Sequence, residues 1–174
     1  ETVGTTSVTT ANITGNAFTN NEIGVWGTAT GGTLLPQVTN NTFDYQTNDG
    51  IRMLASAGMI GSPTAANAAI WGNTIGGIPA PYSGSQLGHG IYIETSDTGM
   101  GRFEVMGNNV ANNFDQLPAV EVRSWNAAPT SVGASLSIVL MENFINMGGA
   151  LSGGDGMWVH TAPLGSLCAW VVYN

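Results

Sequence analysis

Charged side chains are scarce in this sequence, three arginines and eleven acids among 174 residues with no lysine. The places where they recur at one phase therefore carry most of the chemical information. Counted from the apolar positions Ile23, Ile51, Ile91, Val120 and Met157, the next residues are Gly24, Arg52, Tyr92, Glu121 and Trp158. Three positions on lie Trp26, Leu54, Glu94, Arg123 and His160, and two before lie Asn21, Asp49, His89, Pro118 and Asp155. If the apolar positions point inward on strands, alternation puts their neighbours on the outer side of one sheet. Aromatic rings that stack on sugar rings, beside carboxylates that accept from hydroxyls, make Arg52, Tyr92, Glu94, Glu121, Trp158 and His160 a candidate carbohydrate-binding face. The same residues can also simply neutralise one another, Glu94 with Arg123 and Arg52 with Glu121. Exposed pairs of that kind contribute less than about 1 kcal/mol each.

Other chemistries find little support. Asp49, Glu94, Glu121 and Asp155 fall in different repeats and do not form the cage of six to eight oxygens that calcium takes, so no metal is expected. The sequence has no paired-cysteine metal motif, nucleotide-binding glycine loop or nucleophile elbow, and no cofactor is expected. A net charge of −8 disfavours nucleic acid, whose backbone is bound by clustered lysine and arginine. No apolar run approaches the roughly 20 residues of a membrane helix, and the start at Glu1 reads as that of a processed or excised piece. The single Cys168 lies in an apolar run and is expected to be a small core residue.

The elements that must position the charged columns are set by a repeat. Ile70-Trp71-Gly72-Asn73-Thr74-Ile75 places an apolar residue three before an asparagine and another two after it. The pattern recurs around Asn16, Asn41, Asn108 and Asn143 and, cut short, at Asn174. The intervals between asparagines are 25, 32, 35, 35 and 31 residues, so a tight motif carries loops of variable length. With 25 glycines, abundant threonine and asparagine and few helix formers, the elements are strands and turns. Stacked parallel strands at about 4.8 Å satisfy this pattern, giving five to six coils in one all-β domain spanning residues 1–174.

The turn asparagines, the Gly-Ile-x-Ile strands and the repeat length resemble the right-handed parallel β-helix of the pectin-lyase-like superfamily. That resemblance implies that Asn16, Asn41, Asn73, Asn108, Asn143 and Asn174 stack as an internal ladder at one turn. Asparagine suits such a turn because it tolerates a left-handed backbone and its amide both donates and accepts. Gly88-His89-Gly90-Ile91 is similar to the Gly-His-Gly element of polygalacturonase-type glycosidases. Asn48-Asp49-Gly50 stands where that family has an Asp-Asp pair, and Glu121-Val122-Arg123 where it has Arg-Ile-Lys. The resemblance thus implies Asp49, His89 and Arg123 as catalytic candidates. The sequence departs from the family by carrying Asn21 and Asn48 where further acids are expected, whereas inverting hydrolysis needs two carboxyl groups about 6.5–9.5 Å apart.

A second outer face turns apolar along the chain: Thr14, Thr39, Trp71, Met106, Met141 and Val172 in one column, and Asn12, Gln37, Ala69, Glu104, Val139 and Trp170 in the next. Trp71, Met106, Met141, Trp170 and Val172 are expected to contact another copy or a further part of the parent chain. The last repeat stops on Asn174 after an uncovered strand run, so the chain is expected to be a fragment of a longer solenoid or a stacking subunit. A secreted or cell-surface scaffold or adhesin segment, binding a polysaccharide or cell-surface glycan, is the function expected. The alternative is a polysaccharide-degrading glycoside hydrolase or lyase.

Overall fold

The computed structural model describes residues 7–62, 69–80, 83–111, 117–126, 133–146, 156–162, 165–172 and 174. Asp155 lies outside them. Among the described residues there is no helix, and all strand pairing within the three sheets is parallel. The wide sheet is built from Val8–Thr14, Thr33–Thr39, Met100–Met106, Ser135–Met141 and Ser166–Val172; the short strands Met59–Gly61 and Ala69–Trp71 share the level between Thr33–Thr39 and Met100–Met106. A second sheet, here the charged sheet, orders Val25–Ala29, Ile51–Ala55, Ile91–Ser96, Val120–Trp125 and Met157–Thr161. The third holds Ala17–Thr19, Thr42–Asp44, Thr74–Ile75, Asn109–Ala111 and Phe144–Asn146. The chain visits wide, third and charged sheets in that fixed order from one repeat to the next.

Alternation decides which side chains enter the core. Leu34, Val38, Ile70, Val105 and Leu140 from the wide sheet meet Ile51, Ile91, Val120 and Val122 from the charged sheet and Phe43, Ile75 and Val110 from the third. Each fully buried Ile, Leu or Phe contributes roughly 1.5–3 kcal/mol of apolar burial. In the middle repeats the apolar positions three before and two after the asparagine are these core residues; at the ends Ile13, Phe18 and Ile145 are partly buried and Val171 is exposed.

The repeated asparagines form a continuous chain of hydrogen bonds. The backbone N–H and the Nδ2 of Asn41 both donate to Asn73 Oδ1, each at 3.0 Å, and Asn73 donates in the same way to Asn108 at 3.0 and 2.9 Å. The second Nδ2 proton of Asn73 goes to the Val38 carbonyl at 2.8 Å. The same contacts run from Asn16 to Asn41 and from Asn108 through Asn143 to Asn174. The asparagines themselves do not carry the left-handed backbone; the residues just before them do, Gly15, Asn40, Gly72, Gly107 and Glu142, with φ between 54° and 69°. The turn's left-handed position and its hydrogen-bonding position are thus adjacent residues, which corrects the reason expected for asparagine.

Two further expectations are corrected. In the first repeat Val25, not Ile23, pairs with Ile51, so Trp26 faces Arg52 and Thr28 faces Leu54. Close approach of backbones sets this register: Val25 N–H donates to the Gly50 carbonyl and Ile51 N–H to the Gly90 carbonyl. A Cβ on Gly24 would lie 2.7 Å from the Gly50 oxygen, and one on Gly50 2.7 Å from the Gly90 oxygen. Cys168 is exposed rather than in the core, because it falls on an outward position of Ser166–Val172.

Candidate functional site

The charged sheet brings most of the sequence-predicted site residues together on its outer side. Register places Trp26, Arg52, Tyr92, Glu121 and Trp158 in one row across the five strands, and Leu54, Glu94, Arg123 and His160 in the next. Asp49 and His89 lie just ahead of the strands Ile51–Ala55 and Ile91–Ser96.

His89 is the hub. Its backbone N–H donates to Asp49 Oδ1 at 2.7 Å, its Nδ1 faces the same oxygen at 3.1 Å, and its Nε2 faces Glu121 Oε2 at 2.8 Å. Gly88 permits the first contact: a Cβ there would stand 2.5 Å from Asp49 Oδ1. The other Glu121 oxygen meets His160 Nε2 at 3.0 Å. A chain Asp49–His89–Glu121–His160 therefore crosses four adjacent strands or their leading turns. The His89 ring can donate to both carboxylates only in its charged form.

A second group surrounds Tyr92, which is buried. Its hydroxyl donates to Glu94 Oε2, the oxygen that also accepts from Arg123 Nε at 2.6 Å and faces Arg123 Nη2 at 2.5 Å. The Tyr92 ring stacks on His89 with centroids 4.8 Å apart, and the guanidinium carbons of Arg52 and Arg123 lie 5.5 and 5.3 Å from its centroid. Arg52 pairs with Asp49. The expected Arg52–Glu121 pair is absent among the described residues because Tyr92 stands between them in the row.

Burial acts on these groups in opposition to their partners. Desolvation would raise the Asp49 carboxyl, yet hydrogen bonds from His89 and the Arg52 charge hold it below its ordinary value. Glu94 is likewise held low, its desolvation outweighed by donation from Tyr92 and Arg123. Burial, followed by the hydrogen bond to Glu94, pushes the Tyr92 phenol well above its usual range, so it stays a donor.

At the two ends of the Trp26–Trp158 row the surface changes character. Trp26 is 60% exposed and Trp158 48% exposed, the latter stacked on His160 at 4.2 Å and 17° between planes. Sequence reasoning placed Trp26 one column away and missed Trp125, whose ring lies 5.6 Å from the Arg123 guanidinium. Trp125 was legible as the next outward residue two positions after Arg123; Trp26 was legible from Gly24, which matches Gly50 and Gly90 ahead of their strands. Among the described residues no three histidine, cysteine or acidic side chains form a group that could hold a metal ion.

Comparison with protein-family models, with curated proteins and with solved structures returns no match.

Proposed function

We propose that this chain is a segment of a right-handed parallel β-helix of the pectin-lyase-like kind, and that it serves as an extracellular or cell-surface scaffold or adhesin whose charged sheet binds a glycan. The fixed cyclic order of three parallel sheets supports the helix, since parallel crossovers are right-handed in about 98% of cases. The asparagine chain is then its internal ladder.

The observation that carries the binding reading is the row Trp26–Arg52–Tyr92–Glu121–Trp158, with an exposed indole at each end and polar groups between. Four strand spacings separate the indoles, roughly 19 Å, the scale of a short oligosaccharide. Stacking faces at both ends with the partly exposed Arg52 guanidinium between them suit sugar rings and hydroxyls. The carboxyls are already paired with arginine or histidine, so the row offers positioned hydrogen-bonding edges without a large unbalanced charge.

Affinity electrophoresis or calorimetry against neutral and acidic polysaccharides tests this reading. Binding without cleavage is expected, weakened at least about tenfold by Trp158→Ala, a loss of about 1.4 kcal/mol. Binding unchanged in Trp26→Ala and Trp158→Ala would refute it. The second reading, a polysaccharide-degrading enzyme, is favoured by the contact of Asp49 and Glu121 through His89. Against it, the imidazole fills the space between these carboxyls where an inverting hydrolase holds water and sugar. New reducing ends or unsaturated products, abolished by Asp49→Ala and His89→Ala, would establish it instead.

A further inference from the structure

The outer side of the wide sheet carries a complementarity with itself. Along Met100–Met106 the outward residues are Met100, Arg102, Glu104 and Met106, while Gly101, Phe103 and Val105 are buried. Arg102 and Glu104 thus sit at mirror positions about the strand centre, with a methionine beyond each. The neighbouring strands extend both ends: Trp71 and Met141 lie in register with Met106, and Met59 with Met100. Trp71 is 51% exposed, Met100 51% and Trp170 69%, so exposed apolar side chains flank the Arg102 and Glu104 positions at both ends of the strands. A groove of about 260 Å³ runs beside Trp71 along Ala69 and Glu104. A second groove, of about 210 Å³, lies at the opposite end of the strands, beside Met59, Met100 and Arg102.

We infer that this face packs on the same face of a second copy, about a two-fold axis that runs across the strands at the level of Phe103. That axis sets each strand antiparallel to its own copy and brings Arg102 onto Glu104 of the second copy, twice by symmetry. Trp71 then meets the Met59 end of the second copy, and Met106 meets Met100, contacts that suit the polarisable sulfur. Symmetry selects this axis over one along the strands. About an axis along Met100–Met106, Arg102 would stand on Arg102 and Glu104 on Glu104 of the second copy, like charges in contact.

The dimensions agree. Six levels at about 4.8 Å and seven residues at about 3.3 Å give a face of roughly 24 by 23 Å. That is on the order of 600 Å² in projection, close to the ~800 Å² per partner of a standard interface once side-chain relief is included. This surface is separate from the charged sheet, so the inference stands or falls independently of glycan binding.

Sedimentation velocity across a range of protein concentrations, on the chain and on charge-swapped variants, tests the arrangement. The chain is expected to dimerise, and Arg102→Glu or Glu104→Arg alone to weaken dimerisation at least about tenfold by placing like charges together at both symmetric contacts. The double variant Arg102→Glu/Glu104→Arg recreates both pairs and is expected to dimerise again, which also shows that the swapped chains fold. A monomeric parent chain at every concentration overturns the inference. So does a dimer indifferent to the single swaps, or a double swap that stays monomeric while circular dichroism reports native strand content.

Discussion

Asn73 and His89 belong to the same repeat, both are buried, and both bridge the strand levels on either side, yet one has a copy in every repeat and the other has none. The difference is one of charge. An amide is self-complementary, donating upward and accepting from below, so identical side chains can stack at the interstrand spacing without limit. A carboxylate or a guanidinium stacked on its own kind at that spacing repels it. The charged sheet therefore alternates: Asp49 against His89, His89 against Glu121, Glu121 against His160, Glu94 against Arg123. Uniform rows build the frame, and heterogeneous rows are where a repeat protein can carry specificity.

Breaking the uniform row should cost the most. Asn73→Leu removes the acceptor for the Asn41 backbone N–H and for one Asn41 Nδ2 proton, and the side-chain donor to Val38 O, while the backbone N–H of residue 73 still serves Asn108 Oδ1 and Asn41 Nδ2 keeps the Ile13 carbonyl. At about 1–3 kcal/mol for each buried group that loses its partner, a loss of at least about 3 kcal/mol is expected in urea unfolding. A change below about 1 kcal/mol would show that the amide chain is not what holds the levels in register.

The heterogeneous row should break more gently and with a pH signature. Asp49→Asn is expected to cost about 2 kcal/mol at neutral pH, since Arg52 keeps partial access to water. Folding holds Asp49 and Glu94 below their ordinary values of 3.8 and 4.5, so the unfolded chain binds protons more readily than the folded one. Their stabilisation is complete above those values and is lost as pH falls through the lower folded values. Melting temperature measured from pH 6 downward should decline, and the decline should be shallower in Asp49→Asn. Parallel curves for the two proteins would remove Asp49 from the account.

The smallest effect belongs to the turn that precedes the asparagine row. Glu142 holds φ 55° where Gly15, Gly72 and Gly107 occupy the equivalent places. A left-handed non-glycine residue costs about 1 kcal/mol, offset in part by the greater unfolded-state freedom of glycine. Glu142→Gly should raise stability by about 0.5 kcal/mol, and Asn40→Gly by less, because asparagine tolerates this region better. A destabilised Glu142→Gly would indicate that the Glu142 side chain itself contributes to the turn.

The frame was legible in the sequence because its causes are local. Period-two burial and a tight turn leave an apolar residue three before and two after each asparagine, and strand, core and turn follow from that spacing. The charged columns were legible to the same extent, since Arg52, Tyr92, Glu121 and Trp158 do form one row. The first repeat misled by two residues because Ile23 and Val25 are both apolar at the same phase, and hydrophobicity alone cannot separate registers two residues apart. Only the backbone approach at Gly24 does.

Sequence by itself therefore determined the parallel strand repeat, the inward residues and which side chains share an outer face, all consequences of short-range periodicity. Tertiary structure alone decided the partners. Arg52 goes to Asp49 instead of Glu121, His89 joins two carboxyls from different repeats, and Arg102 and Glu104 come to stand at mirror places on an apolar face. The His89 contacts rest on distances of 2.7 and 2.8 Å between residues 40 and 32 positions apart, which loop lengths and side-chain volumes fix only when all the levels are stacked.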